Sequence, residues 1–293
     1  MELAYRLWGP QNFRENHENN SKTEIRLLLL HGMGGTGALW RPIAAQFEDE
    51  IQVLAPDQRG HGGSRSVPQV EPGFGPEDYA RDVIALIEKL HFAPTWIVGH
   101  SMGVRTACAV AHLAPERVRG LILVDLGLAG PAGGGLGQPL ADFLKNMPME
   151  FASRALAREY FAQNCPDPAI AQYLMAVSVP AAPLAGTTPP SSAITFPFDR
   201  SALLKTLQEA QNSSIRDWIP EILKHGVPIL ALRGETSEVW SAEEYEKERA
   251  RFSAFAGIHF ETFLGTGHGL PFEKRIAFVE RVRSFIGLTS RSE

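Results

Sequence analysis

The chain has 293 residues, 44% hydrophobic and 21% charged, with 28 Lys and Arg against 33 Asp and Glu. That length holds one large α/β domain or two of about 150 residues, and the composition excludes a disordered, collagen-like or polytopic membrane chain. A formal net charge of -5 disfavours a nucleic-acid partner, and two cysteines give no disulfide framework.

The first residues hold no basic stretch followed by an apolar one, so no secretory leader is expected and the expected compartment is the cytoplasm. Residues 11–22 are polar and read as a loop. Runs at 24–31, 52–57, 95–100 and 118–125 predict strands. Residues 27–30 and 120–124 are continuously apolar, as in strands covered on both faces. Between them, residues 77–90 place Tyr79, Val83, Leu86, Ile87 and Leu90 at helical spacing, and 101–113 are small and apolar like a buried helix. Strand alternating with helix predicts βαβ units and a mostly parallel sheet. The alternation resumes with a strand at 227–233 and a helix at 241–255, where Ser241 and Glu244 form a capping-box pattern. A strand at 258–264 and a helix at 270–286 follow. That last helix carries Ile276, Val279, Val282, Phe285 and Ile286 on one stripe.

Residues 126–226 interrupt this alternation. A βαβ crossover needs only about 10–12 residues, and this stretch holds more than half of the 21 prolines. It contains a Gly-rich run at 130–137, a Pro/Ala loop at 179–190, and helical patterns at 149–164, 169–177 and 201–211. The expected organisation is an α/β core of residues 1–125 and 227–293, with 126–226 inserted as a mainly helical cap. A separate second domain is the alternative.

Gly99-His100-Ser101-Met102-Gly103 stands where a predicted strand turns into a predicted helix. A sharp turn there strains the central residue, needs tiny neighbours two positions away, and lifts the Ser101 hydroxyl clear of the sheet. Serine needs a base to act as a nucleophile. His268, in Gly265-Thr266-Gly267-His268-Gly269, follows the last strand at the same sheet edge and is the candidate. His61 and His100 lie near that edge and read as structural hydrogen-bonding groups. An acid must orient the imidazole. Glu238, after the 227–233 strand, is the first choice, Asp125 at the end of the preceding strand is the alternative, and Glu235 is also near. His31-Gly32-Met33-Gly34-Gly35 follows the first long strand, and the Met33 and Met102 N–H groups are the expected oxyanion donors. The glycine run lacks the Lys-Ser/Thr ending of a phosphate-binding loop.

These motifs resemble those of the α/β-hydrolase family. The matching residues are His31-Gly32, Asp57-Gln58-Arg59-Gly60-His61-Gly62, Gly99 to Gly103, and Gly267-His268. The order Ser101, Glu238, His268 is similar to that family's order of nucleophile, acid and base. One departure is that Ser237 stands where the family usually has an aspartate, with Glu238 next; another is Val104, where a second glycine is common. The resemblance implies a helix-flanked, mostly parallel sheet and a serine hydrolase cleaving carboxylic esters of small to medium apolar substrates. Water is the second substrate, and no metal or organic cofactor is implied. Phe143, Phe151, Phe161, Phe196, Phe198, Met147 and Met149 are the apolar stock from which a pocket is expected. A C–C bond hydrolase of ring-cleavage products, or a lactonase, would use the same three residues. It would add an arginine for a substrate carboxylate, with Arg154 and Arg158 as candidates. A non-catalytic binding protein of the same fold is the remaining alternative.

Overall fold

The apolar runs form strands whose side chains are sealed on both faces. The structure, a computed structural model, describes residues 1–10, 25–65, 73–129, 137–181, 192–210 and 214–289. The loop expected at 11–22, and most of the 130–137 and 179–190 runs, lie outside the described residues. In chain order the elements are β1 (Tyr5–Trp8), β2 (Arg26–Leu30), α1 (Arg41–Ala44), β3 (Gln52–Pro56), α2 (Pro76–Lys89), β4 (Thr95–His100), α3 (Met102–Leu113) and β5 (Val118–Val124). Then come α4 (Gly137–Asn146), β6 (Glu150–Phe151), α5 (Arg154–Asn164), α6 (Pro168–Val177), β7 (Val179–Pro180), β8 (Ile194–Thr195), α7 (Arg200–Ala210) and α8 (Ile219–Lys224). The chain ends with β9 (Ile229–Gly234), α9 (Ala242–Arg251), β10 (Ile258–Phe263), α10 (Leu270–Glu273) and α11 (Arg275–Phe285).

Seven strands make one sheet in the order β1-β3-β2-β4-β5-β9-β10. Only β1 is antiparallel to its neighbour. Side chains alternate across each strand, so Leu28 and Leu30 face one layer while Leu27 and Leu29 face the other. The first layer holds Val83 and Ile87 of α2 and Val104 and Cys108 of α3. The second holds Trp40, Phe47 and the Phe278–Val282 stripe of α11. The mostly parallel, helix-flanked α/β sheet expected from the sequence is what the chain forms.

β5 and β9 are direct neighbours, so residues 126–226 leave the sheet and return beside their point of departure. α4 to α7 and the small β6-β8-β7 sheet have their own apolar core, built on Phe143, Phe151, Phe161, Phe196 and Leu203. The end of the segment behaves differently. Ile215, Ile219 and Ile222 pack into the layer that holds α3.

The last helix is interrupted. Lys274 has φ -123° and ψ 55°, which splits the predicted 270–286 helix into α10 and α11 and leaves Ile276 exposed. The Ser241 cap is present, its hydroxyl accepting the Glu244 N–H at 3.2 Å.

Candidate active site

β4 runs straight into α3, and Ser101 is the hinge between them. Its backbone sits at φ 53°, ψ -123°, a region that non-glycine residues rarely adopt. The turn is this sharp because nothing projects from its flanks. A methyl at Gly99 would lie 2.3 Å from the Gly103 carbonyl oxygen, and one at Gly103 would lie 2.4 Å from that of Leu30. The Ser101 N–H donates to Val124 O at 2.9 Å, tying the elbow to the end of β5. The Ser101 hydroxyl has no hydrogen-bond partner among the described residues and faces a cavity of about 60 Å³ that His268 also lines.

His268 stands in the loop between β10 and α10, and several groups fix that loop. Its imidazole Nδ1–H donates to Asp125 Oδ2 at 2.8 Å, which leaves Nε2 available to accept a proton. Its carbonyl accepts the His100 Nε2–H at 2.8 Å. The Glu273 carboxylate accepts the Gly267 and Gly269 N–H groups at 2.8 and 3.0 Å, and Glu235 Oε2 accepts that of Gly265 at 2.7 Å. Holding those glycine amides takes place at the break between α10 and α11. Glu273 is a loop anchor that motif reading misses.

Asp125, not Glu238, meets the imidazole. Asp125 is fully buried and also accepts the Gly234 N–H at 2.8 Å and the Ser237 hydroxyl at 2.5 Å. Ser237 Oγ in turn accepts the Val239 N–H at 3.2 Å. Ser237 is buried while Glu238, one residue on, is exposed, so the first-choice acid is corrected to the alternative. The physical reason is strand adjacency. β5 lies between β4 and β9, and Asp125 at its end reaches His268 while the β9 loop contributes only a supporting hydroxyl.

The glycine loop after β2 is held rigidly. Gly34 N–H donates to His61 Nε2 at 2.9 Å, and Gly37 N–H to Asp57 Oδ1 at 2.7 Å. His31 Nδ1–H donates to Gly32 O at 2.8 Å, while its Nε2 accepts the Gln58 N–H at 3.0 Å. Burial lowers the pKa of His31 to about 4 and of His61 and His100 to about 3, with neighbouring imidazoles adding to the effect. All three are neutral hydrogen-bonding groups at neutral pH, as the sequence suggested for His61 and His100. Met33 and Met102 line the same cavity as Ser101, and their N–H groups are engaged by no described residue.

Leucines and an isoleucine close the cavity: Leu140 and Leu144 of α4, Ile170 and Leu174 of α6, and Leu203 and Leu207 of α7. Leu126, Val239 and Tyr173 complete the wall, and no Lys or Arg is among its described lining residues. None of the seven Phe and Met residues expected to supply the pocket lines it. The phenylalanines pack on one another instead, with Phe161 edge-on to Phe143 and Phe151 at 5.7 Å. Arg154 is bound to Ser178 Oγ and Met175 O, and it borders a separate surface groove with Arg158.

Comparison with known proteins agrees with this fold. A model of the alpha/beta hydrolase fold family matches residues 25–275. The 2-(acetamidomethylene)succinate hydrolase of Mesorhizobium japonicum is 34% identical over 99 residues, a match spanning 34% of each chain and so about a third of that relative's length. A Haemophilus influenzae protein named as a candidate esterase or lipase is 25% identical over 260 residues, covering 89% of this chain and 82% of its own. Among solved structures, a marine microorganism esterase superposes with a TM-score of 0.72 at 21% identity, over 97% of this chain and 99% of that one. With the elbow, the strand order and the family match in agreement, this chain belongs to the alpha/beta hydrolase fold family.

Proposed function

We propose that the protein is a serine hydrolase cleaving uncharged carboxylic esters with small to medium apolar groups. The observation that carries this reading is the Asp125–His268 hydrogen bond beside the strained Ser101 elbow, in one apolar cavity. His268 Nε2 takes the Ser101 proton as Oγ attacks the acyl carbonyl. The Met33 and Met102 N–H groups receive the developing oxyanion. The tetrahedral intermediate collapses, the alcohol leaves with the proton from His268, and the acyl group stays on Ser101. Water, deprotonated by His268, then attacks the acyl-enzyme and releases the acid. Of the 126–226 segment, α4, α6 and α7 act as the cap that closes the apolar wall, while Ile215, Ile219 and Ile222 belong to the sheet body.

The missing cation among the described lining residues favours a neutral ester over a carboxylate-bearing ring-cleavage product. The position of Arg154 and Arg158 away from the cavity points the same way. The test is hydrolysis of p-nitrophenyl esters of increasing chain length by the wild type and Ser101→Ala. Wild-type turnover is expected to favour acetate to hexanoate over dodecanoate, with Ser101 labelled by a fluorophosphonate. Ser101→Ala is expected to lose about 10⁶-fold in kcat, roughly what removing the serine of a triad costs. Equal rates in the two proteins would sink the assignment.

A further inference from the structure

Tyr173 is the one hydroxyl that the segment above the sheet brings to this cavity wall among the described residues. It lies on α6, and its ring packs beside that of His100 with centroids 6.2 Å apart. Its phenol oxygen is buried and has no hydrogen-bond partner among the described residues. Buried tyrosine hydroxyls ordinarily find one. The oxygen is pressed onto the glycine loop. A methyl at Gly35 would lie 2.5 Å from it, and one at Gly32 would lie 3.3 Å from it. The same methyl at Gly32 would lie 3.1 Å from Ser101 Cβ and 3.2 Å from His100 Nδ1. The phenol and the nucleophile therefore converge beside Gly32, next to Met33.

We propose that the Tyr173 hydroxyl is a third donor to the carbonyl oxygen of bound substrate, delivered from α6 to the same oxyanion as the Met33 and Met102 N–H groups. The proposal rests on the serine-hydrolase reading. A donor with no partner in the resting protein is free to serve a charge that appears only during reaction, and its geometry is set beforehand by packing. Burial raises the phenol pKa above its ordinary value, so the group donates a hydrogen bond and keeps its proton. Gly32 and Gly35 carry no side chain between the phenol and the loop, which is what lets a cap residue approach the reacting carbon so closely. The acyl carbonyl is then contacted from the sheet side by two amides and from the cap side by one hydroxyl.

Tyr173→Phe removes the hydroxyl and keeps the ring. The expected result is a fall in kcat on p-nitrophenyl butyrate of about 100-fold, the size associated with one oxyanion donor, with KM within about twofold. The melting temperature should stay level or rise, because an unpartnered buried polar atom is lost. Inhibition by an alkyl trifluoromethyl ketone, which forms a tetrahedral adduct with a serine, should weaken by a similar factor. Binding of the matching non-electrophilic carbinol should not change. An unchanged kcat, or a loss confined to KM, overturns the role while the wild type still turns over ester and labels at Ser101. A wild type that neither hydrolyses any ester nor reacts with a fluorophosphonate overturns the hydrolase reading, and this role with it.

Discussion

At Asp125 the backbone adopts φ 56°, a left-handed conformation that aspartate tolerates better than most residues. That twist ends β5 and turns the carboxylate toward three donors: Gly234 N–H, the Ser237 hydroxyl and His268 Nδ1–H. An asparagine offers one acceptor oxygen where three donors converge, so its amide must face a donor or reverse the imidazole tautomer. Asp125→Asn is therefore expected to lower kcat by about 10³- to 10⁴-fold, while Glu238→Gln stays near wild type; a pH-controlled ester assay of both variants checks it. That Ser101, Met33, Met102 and His268 would meet at one cavity was legible in the sequence because each belongs to a local glycine-bounded motif. Which carboxylate would meet the imidazole was not, because that depends on which strand lies beside β4 and on where a distant loop folds back. The cue was present in Ser237, standing where the family usually carries an aspartate, together with an apolar strand ending in Asp125.

Among the elements, β2 to β5, β9, β10 and helices α2, α3, α6 and α7 followed from periodicity with ends shifted by a residue or two, whereas the helix read at 149–164 begins only at Arg154, after strand β6, and that read at 241–255 ends at Arg251. Two readings failed for the same reason, that a pattern shows which residues are apolar and not what covers them. Ile276 fits the stripe of a continuous helix, yet Glu273 is drawn to the His268 loop and the helix breaks at Lys274. The phenylalanines of 126–210 looked like pocket lining, yet they fill their own core and leave the cavity wall to aliphatic side chains of α4, α6 and α7. Phe161, 2% exposed and edge-on to Phe143 and Phe151, is central to that core. Phe161→Ala is expected to destabilise it by about 3–5 kcal/mol. Trp8, Trp40, Trp96, Trp218 and Trp240 all lie outside 126–210, so tryptophan fluorescence follows the sheet body. The expected outcome is activity lost on heating well before the fluorescence transition, with the two coinciding more closely in the wild type.

Across the whole molecule, buried titratable groups make stability depend on pH. His31, His61 and His100 have folded pKa values of about 4, 3 and 3, below the ordinary 6.5. Between those values and 6.5 the unfolded chain binds more protons, so stability is full above about pH 6.5 and is lost as pH falls. Each histidine contributes a slope of about 1.4 kcal/mol per pH unit well inside that window. Glu248 opposes them. Burial raises its pKa to about 7 from 4.5, with the Leu128 and Ala129 N–H groups pulling the other way, so its effect on stability declines as pH rises through that range. Three groups outweigh one, and the denaturation midpoint is expected to drop between pH 7 and 5. His100→Gln, which retains a donor for the His268 carbonyl, should flatten the drop; an unchanged slope would remove His100 from the account.

Ser101 and the end of β5 that carries Asp125 are joined by one rung, the Ser101 N–H on Val124 O, whereas His268 lies 143 residues beyond Asp125 in the chain. It hangs from the loop after β10, an edge strand that pairs only with β9. During synthesis from the amino end, the first two groups can be aligned long before the base emerges. If Ser101 and His268 act as proposed, the growing chain carries its serine without a base, and the pair is assembled only when the last strand is laid against the sheet.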